Sequence, residues 1–481
     1  MFPKPKLITV DSGNMYFGKK LNFFVGKKFM NPERISFFKE LFSNFTNGVS
    51  ELNIVLSEEE NIAIFSIDDK VKEYEKIEYS GEYAIHSNEN RCFLYYNKEI
   101  GLCHAFCTFL SLIEMTDKEE FIIPVVKIDD HPTIDFRVIH ICVFPETRYE
   151  MLKKFIRMAS FIKYSHIVLE FWGTFKYKCL DALSREGAFT AEQVKELVKE
   201  ANALGVEIIP MLNLLGHAAQ SRAVYCKHVT LDQNPELSYL FEPDGWTWNI
   251  LCQDTLVLLR KMREELIDAC GKGSYFFIGC DEAFPYGTSR LFEGKDKTVE
   301  LIKYINGVSE ELKAVGRRAI MWGDQLLWKK KWIIPEKIEY IAYGETKEIA
   351  EKLIKGISRD VLIADWQYYS KDKVMPTSKY FAQHGFDVAI AMFDCAGGTK
   401  TCVKNVVEQG YFGIIQTTWH LMHEHFHLVL KGANYAWNGD VSLSKMDSEM
   451  IGFNTIAYYR KLLPPKGVYE NSGIHVKEIE P

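Results

Sequence analysis

Two adjacent carboxylates, Asp281 and Glu282, directly follow the apolar run YFFIGC (275–280). A hydrophobic run that ends in two acids predicts a buried strand whose last residues enter a pocket. Burial and a neighbouring negative charge both raise the pKa of a carboxyl group, so one acid of such a pair can stay protonated near neutral pH and act as a general acid. An ion pair that caps the strand is the non-catalytic alternative.

Further carboxylates and several tryptophans follow other apolar runs in the same way. Indole rings stack on the CH face of a pyranose, and carboxylates bind hydroxyls and stabilise oxocarbenium-like charge. An acid between aromatic walls therefore predicts chemistry on a sugar, although rim packing would explain any one of these residues alone. The residues concerned are Glu170, Trp172, Asn213, His217, Trp322, Asp324, Asp365, Trp366, Asp394 and Trp419.

A second motif indicates different chemistry, because His423, Glu424 and His427 spell H-E-x-x-H, the zinc-peptidase signature. Such a site needs a helix that places two imidazoles one turn apart, and a third ligand downstream. The pattern directly follows the last predicted strand, and three constrained positions recur often by chance. We therefore expect no metal and no cofactor. His420 and His423 could face a sugar instead, whereas we expect His425 and His427 to be packing or surface residues.

Eight apolar runs alternate with amphipathic helical segments from residue 137 onward. Runs without polar alternation are typical of parallel strands that are buried on both faces. One helical segment is predicted to begin after Thr190, which would form a capping box with Gln193. The alternation predicts a (β/α)8 TIM barrel, whose reactive groups lie at the carboxyl ends of the strands. The predicted strands are RVIHICVF (137–144), SHIVLEF (165–171), EIIPMLN (207–213), YFFIGCDE (275–282), RAIMWGD (318–324), VLIADWQY (361–368), DVAIAMF (387–393) and GIIQTTW (413–419).

The N-terminal part of the chain has a different pattern, in which short runs such as LNIVLS and RCFLYY surround one helical stretch, IGLCHAFCTFLSLIEM. This pattern predicts helices packed on a sheet. The segment VVKIDDHPTID (125–135) interrupts both periodicities and indicates a linker. We therefore expect a small α+β domain over residues 1–130, followed by the barrel with a C-terminal extension over residues 131–481.

Composition restricts the class of partner and compartment. The 481 residues have a formal net charge of -7, which gives no electrostatic reason to expect nucleic acid or an anionic membrane as partner. The 11 cysteines include no C-x-x-C pair, so neither a disulfide framework nor a thiolate zinc site is predicted. We find no signal segment and no apolar run of about 18 residues. We expect a soluble, cytoplasmic protein with a neutral partner.

With these residues in view, the chain resembles glycoside hydrolase family 20, the β-N-acetylhexosaminidases, over nearly its whole length. FIGCDEA resembles that family's H-x-G-G-D-E element, and IDFRVIHI resembles its arginine-bearing first barrel strand. The segment SREGAFTAEQVKELVKEANALGVEIIPMLNLLGHA is similar to the family's stretch from the second barrel strand through the third. A small domain before the barrel also matches the family's layout.

The resemblance implies that Glu282 is the general acid/base and that Asp281 orients the 2-acetamido group of the substrate. The acetamido oxygen would be the nucleophile, through an oxazolinium intermediate with net retention and without a metal. It also implies that Arg137 binds sugar hydroxyls and that His217 lies near Glu282. The residues expected to line the acetamido pocket and the sugar face are Trp322, Trp366 and Trp419. The partner would be a glycan with a terminal N-acetylhexosamine.

The sequence departs from the family pattern at several positions. The family's histidine is Phe277 here, its second glycine is Cys280, and the acid before the proline-glycine-histidine turn is Asn213. If Asp394 matches the family's aspartate, the expected tyrosine is Met392, and the glutamate expected two residues after Trp419 is Leu421. Tyr368 or Tyr369 could replace the phenol, and Glu424 the carboxylate. The departures indicate an atypical branch and leave a non-hydrolytic N-acetylhexosamine-binding protein as the alternative. GlcNAc or GalNAc preference, linkage and oligomeric state stay open.

Overall fold

The computed structural model describes residues 2–71, 74, 76–116, 120–219, 230–283, 286–329, 340–419, 426–439 and 460–463. Within these residues the strands form two separate sheets, one N-terminal and mixed, the other closed into a barrel.

The N-terminal sheet has eight strands. They are β1 (Leu7–Phe17), β2 (Lys20–Gly26), β3 (Glu51–Ser57), β4 (Ile62–Ser66), β5 (Tyr83–Ser87), β6 (Arg91–Tyr96), β7 (Glu114–Met115) and β8 (Phe121–Asp130). Their order is β1-β8-β5-β6-β4-β2-β3, and β7 pairs with β8. Strands β2 and β3 are parallel, whereas the other neighbours are antiparallel.

Two helices, α1 (Pro32–Phe45) and α2 (Glu99–Leu112), pack on this sheet. Their contact is aromatic, because Phe38 of α1 stacks on Phe106 of α2 with ring centroids 3.8 Å apart. Both rings are fully buried, so they form part of the hydrophobic core that fixes the helices to the strands. A sheet with two helices confirms the predicted α+β architecture of this part of the chain.

The second sheet is a closed barrel of eight parallel strands, as the apolar runs predicted. Strand β16 pairs with β9, which closes the barrel, and the register places Gly413 beside Phe136. The strands are β9 (Phe136–Cys142), β10 (His166–Glu170), β11 (Glu207–Met211), β12 (Tyr275–Phe277), β13 (Arg318–Trp322), β14 (Leu362–Asp365), β15 (Val388–Met392) and β16 (Gly413–Thr417).

Helices connect the barrel strands and cover them. The predicted capping box at Thr190 is present, with the Thr190 and Gln193 side chains each bonded to the other's backbone. None of the described helices is both long and apolar enough to cross a membrane. The helices are α3 (Tyr149–Phe161), α4 (Ala191–Ala203), α5 (Thr230–Gln233), α6 (Gln253–Cys270), α7 (Lys297–Ala314), α8 (Lys347–Gly356), α9 (Pro376–Gln383), α10 (Ala396–Gln409) and α11 (Phe426–Asn438).

The observed strands end earlier than the apolar runs suggested. The clearest case is β12, which ends at Phe277 although the run continues to Glu282. Its continuation leaves the sheet because Gly279 and Cys280 have φ angles of 64° and 69°, which no regular strand accommodates. Residues that sequence alone assigned to the strand therefore form the first turn of the site.

A buried charge network joins the N-terminal sheet to the barrel. The Asp130 carboxylate, at the end of β8, accepts hydrogen bonds from Tyr83 Oη at 2.6 Å, Lys163 Nζ at 3.0 Å and Trp437 Nε1 at 2.8 Å. A buried charge is tolerated when its partners are this complete. Barrel strand β9 begins at Phe136, shortly after this network. The division of the chain into two domains at residue 130 stays a prediction.

Candidate active site

The Asp281–Glu282 pair lies on the turn that directly follows β12. Glu282 has a φ angle of 49°, so it shares the left-handed backbone of Gly279 and Cys280. Such a conformation is costly for residues other than glycine and persists only where surrounding contacts hold it. At Gly279 a Cβ atom would lie 2.3 Å from Asn213 Oδ1, so no larger residue fits. The turn lets two adjacent side chains reach the same neighbour, which an extended strand would prevent.

That neighbour is the imidazole of His217, in the loop after β11. His217 Nε2 lies 3.1 Å from Asp281 Oδ2 and 3.1 Å from Glu282 Oε2. The Asp281 side chain is 6% exposed and that of Glu282 is 27% exposed, so Glu282 is the more accessible acid. The arrangement provides one reachable proton donor beside a buried carboxylate that can orient a ligand.

Glu282 is held at four points by residues from separate loops. Its backbone N–H donates to Asp324 Oδ2 at 2.9 Å, and its carbonyl accepts from Trp246 Nε1 at 2.9 Å. Its side chain accepts from Tyr343 Oη at 3.0 Å and contacts His217. Sequence reasoning missed Tyr343 and Trp246, because neither ends an apolar strand run and no local pattern links them to Glu282.

Asp324 is a further acid behind the pair, at the end of β13, and it is 1% exposed. Burial first, and the nearby Asp281 second, raises the pKa of the Asp324 carboxyl from 3.8 to about 7. Its Oδ1 accepts from Trp366 Nε1 at 3.1 Å, while its Oδ2 holds the backbone of Glu282. Asp324 therefore links the candidate acid to an aromatic wall residue.

Aromatic rings surround the acids. Trp322 is 1% exposed and lies between Trp366 and Trp419, at centroid distances of 6.4 Å and 6.0 Å. Trp419 Nε1 donates to Tyr368 Oη at 3.0 Å, and the Tyr368 ring lies 5.6 Å from that of Trp366. Trp366 and Trp419 are only partly buried, so they can offer ring faces to a ligand, whereas Trp322 forms the floor. The structure thus brings these four predicted site residues together.

Comparison with known proteins identifies the domain. A model of the glycosyl hydrolase family 20 catalytic domain matches residues 163–396. Hexosaminidase D of Bos taurus is 25% identical over 169 residues, a stretch that covers 33% of this chain and 46% of that relative. The chain carries a glycoside hydrolase family 20 catalytic domain. The match to the bovine relative spans about half of that protein's length.

Solved structures share the fold of this family 20 domain and of the sheet before it. The chitobiase of Flavobacterium johnsoniae superposes with a TM-score of 0.69 at 16% identity, over 97% of this chain and 74% of that one. An exo-β-N-acetylglucosaminidase of Vibrio harveyi, solved with N-acetylglucosamine, superposes with a TM-score of 0.67 at 13% identity, over 97% and 77% of the two chains. At these identities the likeness shows the fold.

The structure does not bring Arg137 to the site of the family 20 domain, so its predicted sugar-binding role is wrong. Arg137 lies at the amino end of β9, opposite the end that carries the acids. Its guanidinium donates to the backbone carbonyls of Lys163, Ile134 and Asp135, and it lies 5.0 Å from the Trp437 ring. Arg137 is 2% exposed and has a structural role beneath the barrel.

Two departures from the family 20 pattern have a structural explanation. Met392 faces outward from β15, because its Cε lies 2.7 Å from where a Cβ on Gly432 of α11 would stand. It therefore does not occupy the position of a phenol in the site, as the sequence match assumed. Phe277 faces the barrel interior, where its ring packs 4.6 Å from that of Trp322. Phe277 supports the floor of the site from below.

Asp394, predicted to bind substrate, lies at the rim of the family 20 site. Its Oδ2 accepts from Tyr369 Oη at 3.3 Å, and Tyr369 is 48% exposed. Tyr368 instead is 6% exposed and bonded to Trp419, in the aromatic wall. Of the two tyrosines considered as replacements for the missing phenol, Tyr368 is therefore the one within the wall.

One cluster in the described part of the chain has three potential metal-binding atoms within 4.8 Å of one another, in His140, Cys142 and Glu170. Glu170 Oε2 accepts from His140 Nε2 at 3.0 Å and from Cys142 Sγ at 3.3 Å, and Asn213 Nδ2 donates to Oε1. These hydrogen bonds account for the clustering. The His140 ring also lies 4.8 Å from that of Trp419, so the cluster supports a wall of the site.

The H-E-x-x-H pattern lies largely outside the described residues, as do His420, Leu421, His423, Glu424 and His425. Its last histidine, His427, is exposed near the start of α11.

Proposed function

We propose that this chain is a retaining exo-β-N-acetylhexosaminidase that releases terminal β-linked GlcNAc or GalNAc. The observation that carries the proposal is the acid pair, in which Asp281 and Glu282 share His217 Nε2 at equal distances between aromatic walls. The family 20 domain and the hexosaminidases that resemble the chain support the substrate class. One accessible acid, one buried carboxylate and flat walls suit a sugar that supplies its own nucleophile.

In the first step the acetamido carbonyl oxygen forms a bond to the anomeric carbon while the bond from that carbon to the glycosidic oxygen breaks. Glu282 gives its proton to the departing glycosidic oxygen. Asp281 accepts a hydrogen bond from the acetamido N–H and so aligns the acetamido group for attack. Because the nucleophile is already tethered to the sugar, orientation supplies much of the rate enhancement. The oxazolinium intermediate carries the positive charge next to the Asp281 carboxylate.

In the second step Glu282 removes a proton from a water molecule, which adds to the anomeric carbon as the bond to the acetamido oxygen breaks. Two displacements at the same carbon leave the configuration retained. His217 Nε2 can serve either carboxylate, since its two distances are equal. It donates to Asp281 while Glu282 is protonated, and to Glu282 once that proton has left.

Aryl β-N-acetylhexosaminides test this assignment. We expect Glu282→Gln to lower kcat/KM for a phenyl glycoside by about 100-fold or more, because amide nitrogen cannot donate a transferable proton. Asp281→Asn should lower it by a similar factor for every leaving group, because the intermediate loses its counter-charge. Glu58, whose side chain is 83% exposed far from the site, gives the control Glu58→Gln. Wild-type turnover in Glu282→Gln would refute the assignment.

Binding measurements separate a hydrolase from a sugar-binding protein on the same fold. A thiazoline that imitates the bicyclic intermediate should bind the wild-type protein about 100-fold more tightly than N-acetylglucosamine, because an enzyme favours the transition state over the ground state. Equal affinities, measured by calorimetry, would favour the non-hydrolytic alternative.

A further inference from the structure

Tyr343 contacts the candidate acid but lies outside any strand of the barrel. Its hydroxyl donates to Glu282 Oε1 at 3.0 Å, on the side of the carboxyl group opposite His217, which faces Oε2. The two oxygens of Glu282 therefore have different neighbours. One faces a phenol, and the other faces an imidazole nitrogen that also serves Asp281.

The position of Tyr343 is fixed by its backbone. Tyr343 N donates to the carbonyl of Asp324 at 2.9 Å, and the next residue, Gly344, donates to the carbonyl of Leu327 at 2.8 Å. Asp324 also accepts the backbone N–H of Glu282 through its side chain. One residue thus sets both ends of the Tyr343–Glu282 hydrogen bond, so their relative position does not depend on a flexible loop tip.

A phenol is a donor as long as it keeps its proton. Burial first, and the Glu282 carboxylate second, raises the pKa of Tyr343 above its usual value, so the hydroxyl stays protonated through the neutral range. The hydrogen bond that Tyr343 donates to Oε1 is strongest when Glu282 is ionised, because a charged acceptor strengthens the bond. The phenol therefore stabilises the carboxylate that remains after Glu282 has given up its proton.

We propose that Tyr343 is a positioning residue that holds Oε1 of Glu282 and stabilises the carboxylate formed when this acid transfers its proton. The assignment rests on the proposed glycosidase function. After transfer, Tyr343 and His217 stabilise the carboxylate together, one at each oxygen.

The leaving group distinguishes this role from simple packing. A dinitrophenyl glycoside departs with little help from an acid, whereas a phenyl glycoside needs the proton. We expect Tyr343→Phe to lower kcat/KM by about 10-fold or more for the phenyl substrate and by less than about 3-fold for the dinitrophenyl substrate. KM for the two substrates should change little, because the hydroxyl contacts Glu282 and not the sugar. A packing defect would lower both rates alike.

The pH profile gives a second readout. Among the residues that the structure describes, the charged or titratable groups that face Glu282 are His217, Asp281, Asp324 and Tyr343. Removing only the phenol hydroxyl takes one hydrogen bond from the carboxylate form, so the basic limb of kcat/KM should move to higher pH. An unmoved limb together with equal losses for both leaving groups would overturn the proposal.

Tyr239→Phe is the matched control, because Tyr239 is 51% exposed on another loop, and it should leave both rates and the profile unchanged. Thermal melts of the variants check that each is folded. A wild-type protein that releases neither phenol would refute the glycosidase assignment and this inference with it. An active wild type with a leaving-group-independent loss in Tyr343→Phe would refute this inference alone.

Discussion

Replacing Arg137 by methionine separates a structural arginine from a sugar-binding one. The guanidinium donates to three backbone carbonyls and stacks on Trp437. Methionine keeps most of the volume but leaves these buried carbonyls without a donor. At about 1 kcal/mol for each acceptor, with about 1 kcal/mol more for the lost cation–π contact, the variant should lose roughly 4 kcal/mol of unfolding free energy.

For a chain of this size such a loss corresponds to a fall in Tm of about 4 °C. Differential scanning fluorimetry measures the fall, and steady-state kinetics on an aryl β-N-acetylhexosaminide measures KM. We expect KM within about 2-fold of wild type, since Arg137 lies at the end of the barrel opposite the acids. Arg290→Met, at an exposed position, is the control and should leave Tm nearly unchanged. A KM raised about 10-fold at unchanged Tm would show that Arg137 reaches the sugar after all.

Two further substitutions probe the turn and the buried acid. A Cβ at Gly216 would lie 2.1 Å from the carbonyl oxygen of Asp281, so Gly216→Ala should displace the acid pair and lower kcat by about 100-fold. Gly307→Ala is the control and should leave kcat unchanged, because nothing lies within 4 Å of a Cβ at that position. Normal turnover in Gly216→Ala would contradict this account. The pKa of Asp324 is raised from 3.8 to about 7 in the folded protein, so between these values the folded protein keeps a proton that the unfolded chain loses. The contribution of Asp324 to the free energy of unfolding therefore falls as pH rises from about 4 to about 7. Asp324→Asn removes this pH-dependent contribution, so the Tm of the variant should fall less than that of the wild type between about pH 5 and about pH 7.5. Parallel Tm curves for the two proteins would exclude the effect.

The barrel could be predicted because its strands are buried on both faces and therefore read as continuous apolar runs. The position of a residue along its strand would also have placed Arg137 correctly, because reactive groups of such a barrel lie at the carboxyl ends of the strands. Arg137 precedes the apolar run of its strand, whereas Glu170 and Trp322 end theirs, so only the latter two belong at the carboxyl end. The error arose because a resemblance between sequences carried a residue role without regard to the end of the strand.

Met392 shows a related limit. Along β15 the side chains of Ala389 and Ala391 face the barrel interior, so a period of two residues places Met392 outside. Tyr343 and Trp246 could not be found in this way, because they lie in loops where no periodicity constrains direction. Their contacts with Glu282 depend on how distant segments of the chain meet, which a single sequence does not encode in any local pattern.

The left-handed backbone at His217, Cys280, Glu282 and Trp419 has a consequence for the history of such a protein. Glycine or asparagine would adopt this backbone conformation at a lower energetic cost, so each of these residues lowers the stability of the fold. Mutations that relieve this backbone strain should therefore stabilise the barrel and abolish its activity. Such mutations should accumulate unless selection for catalytic activity removes them.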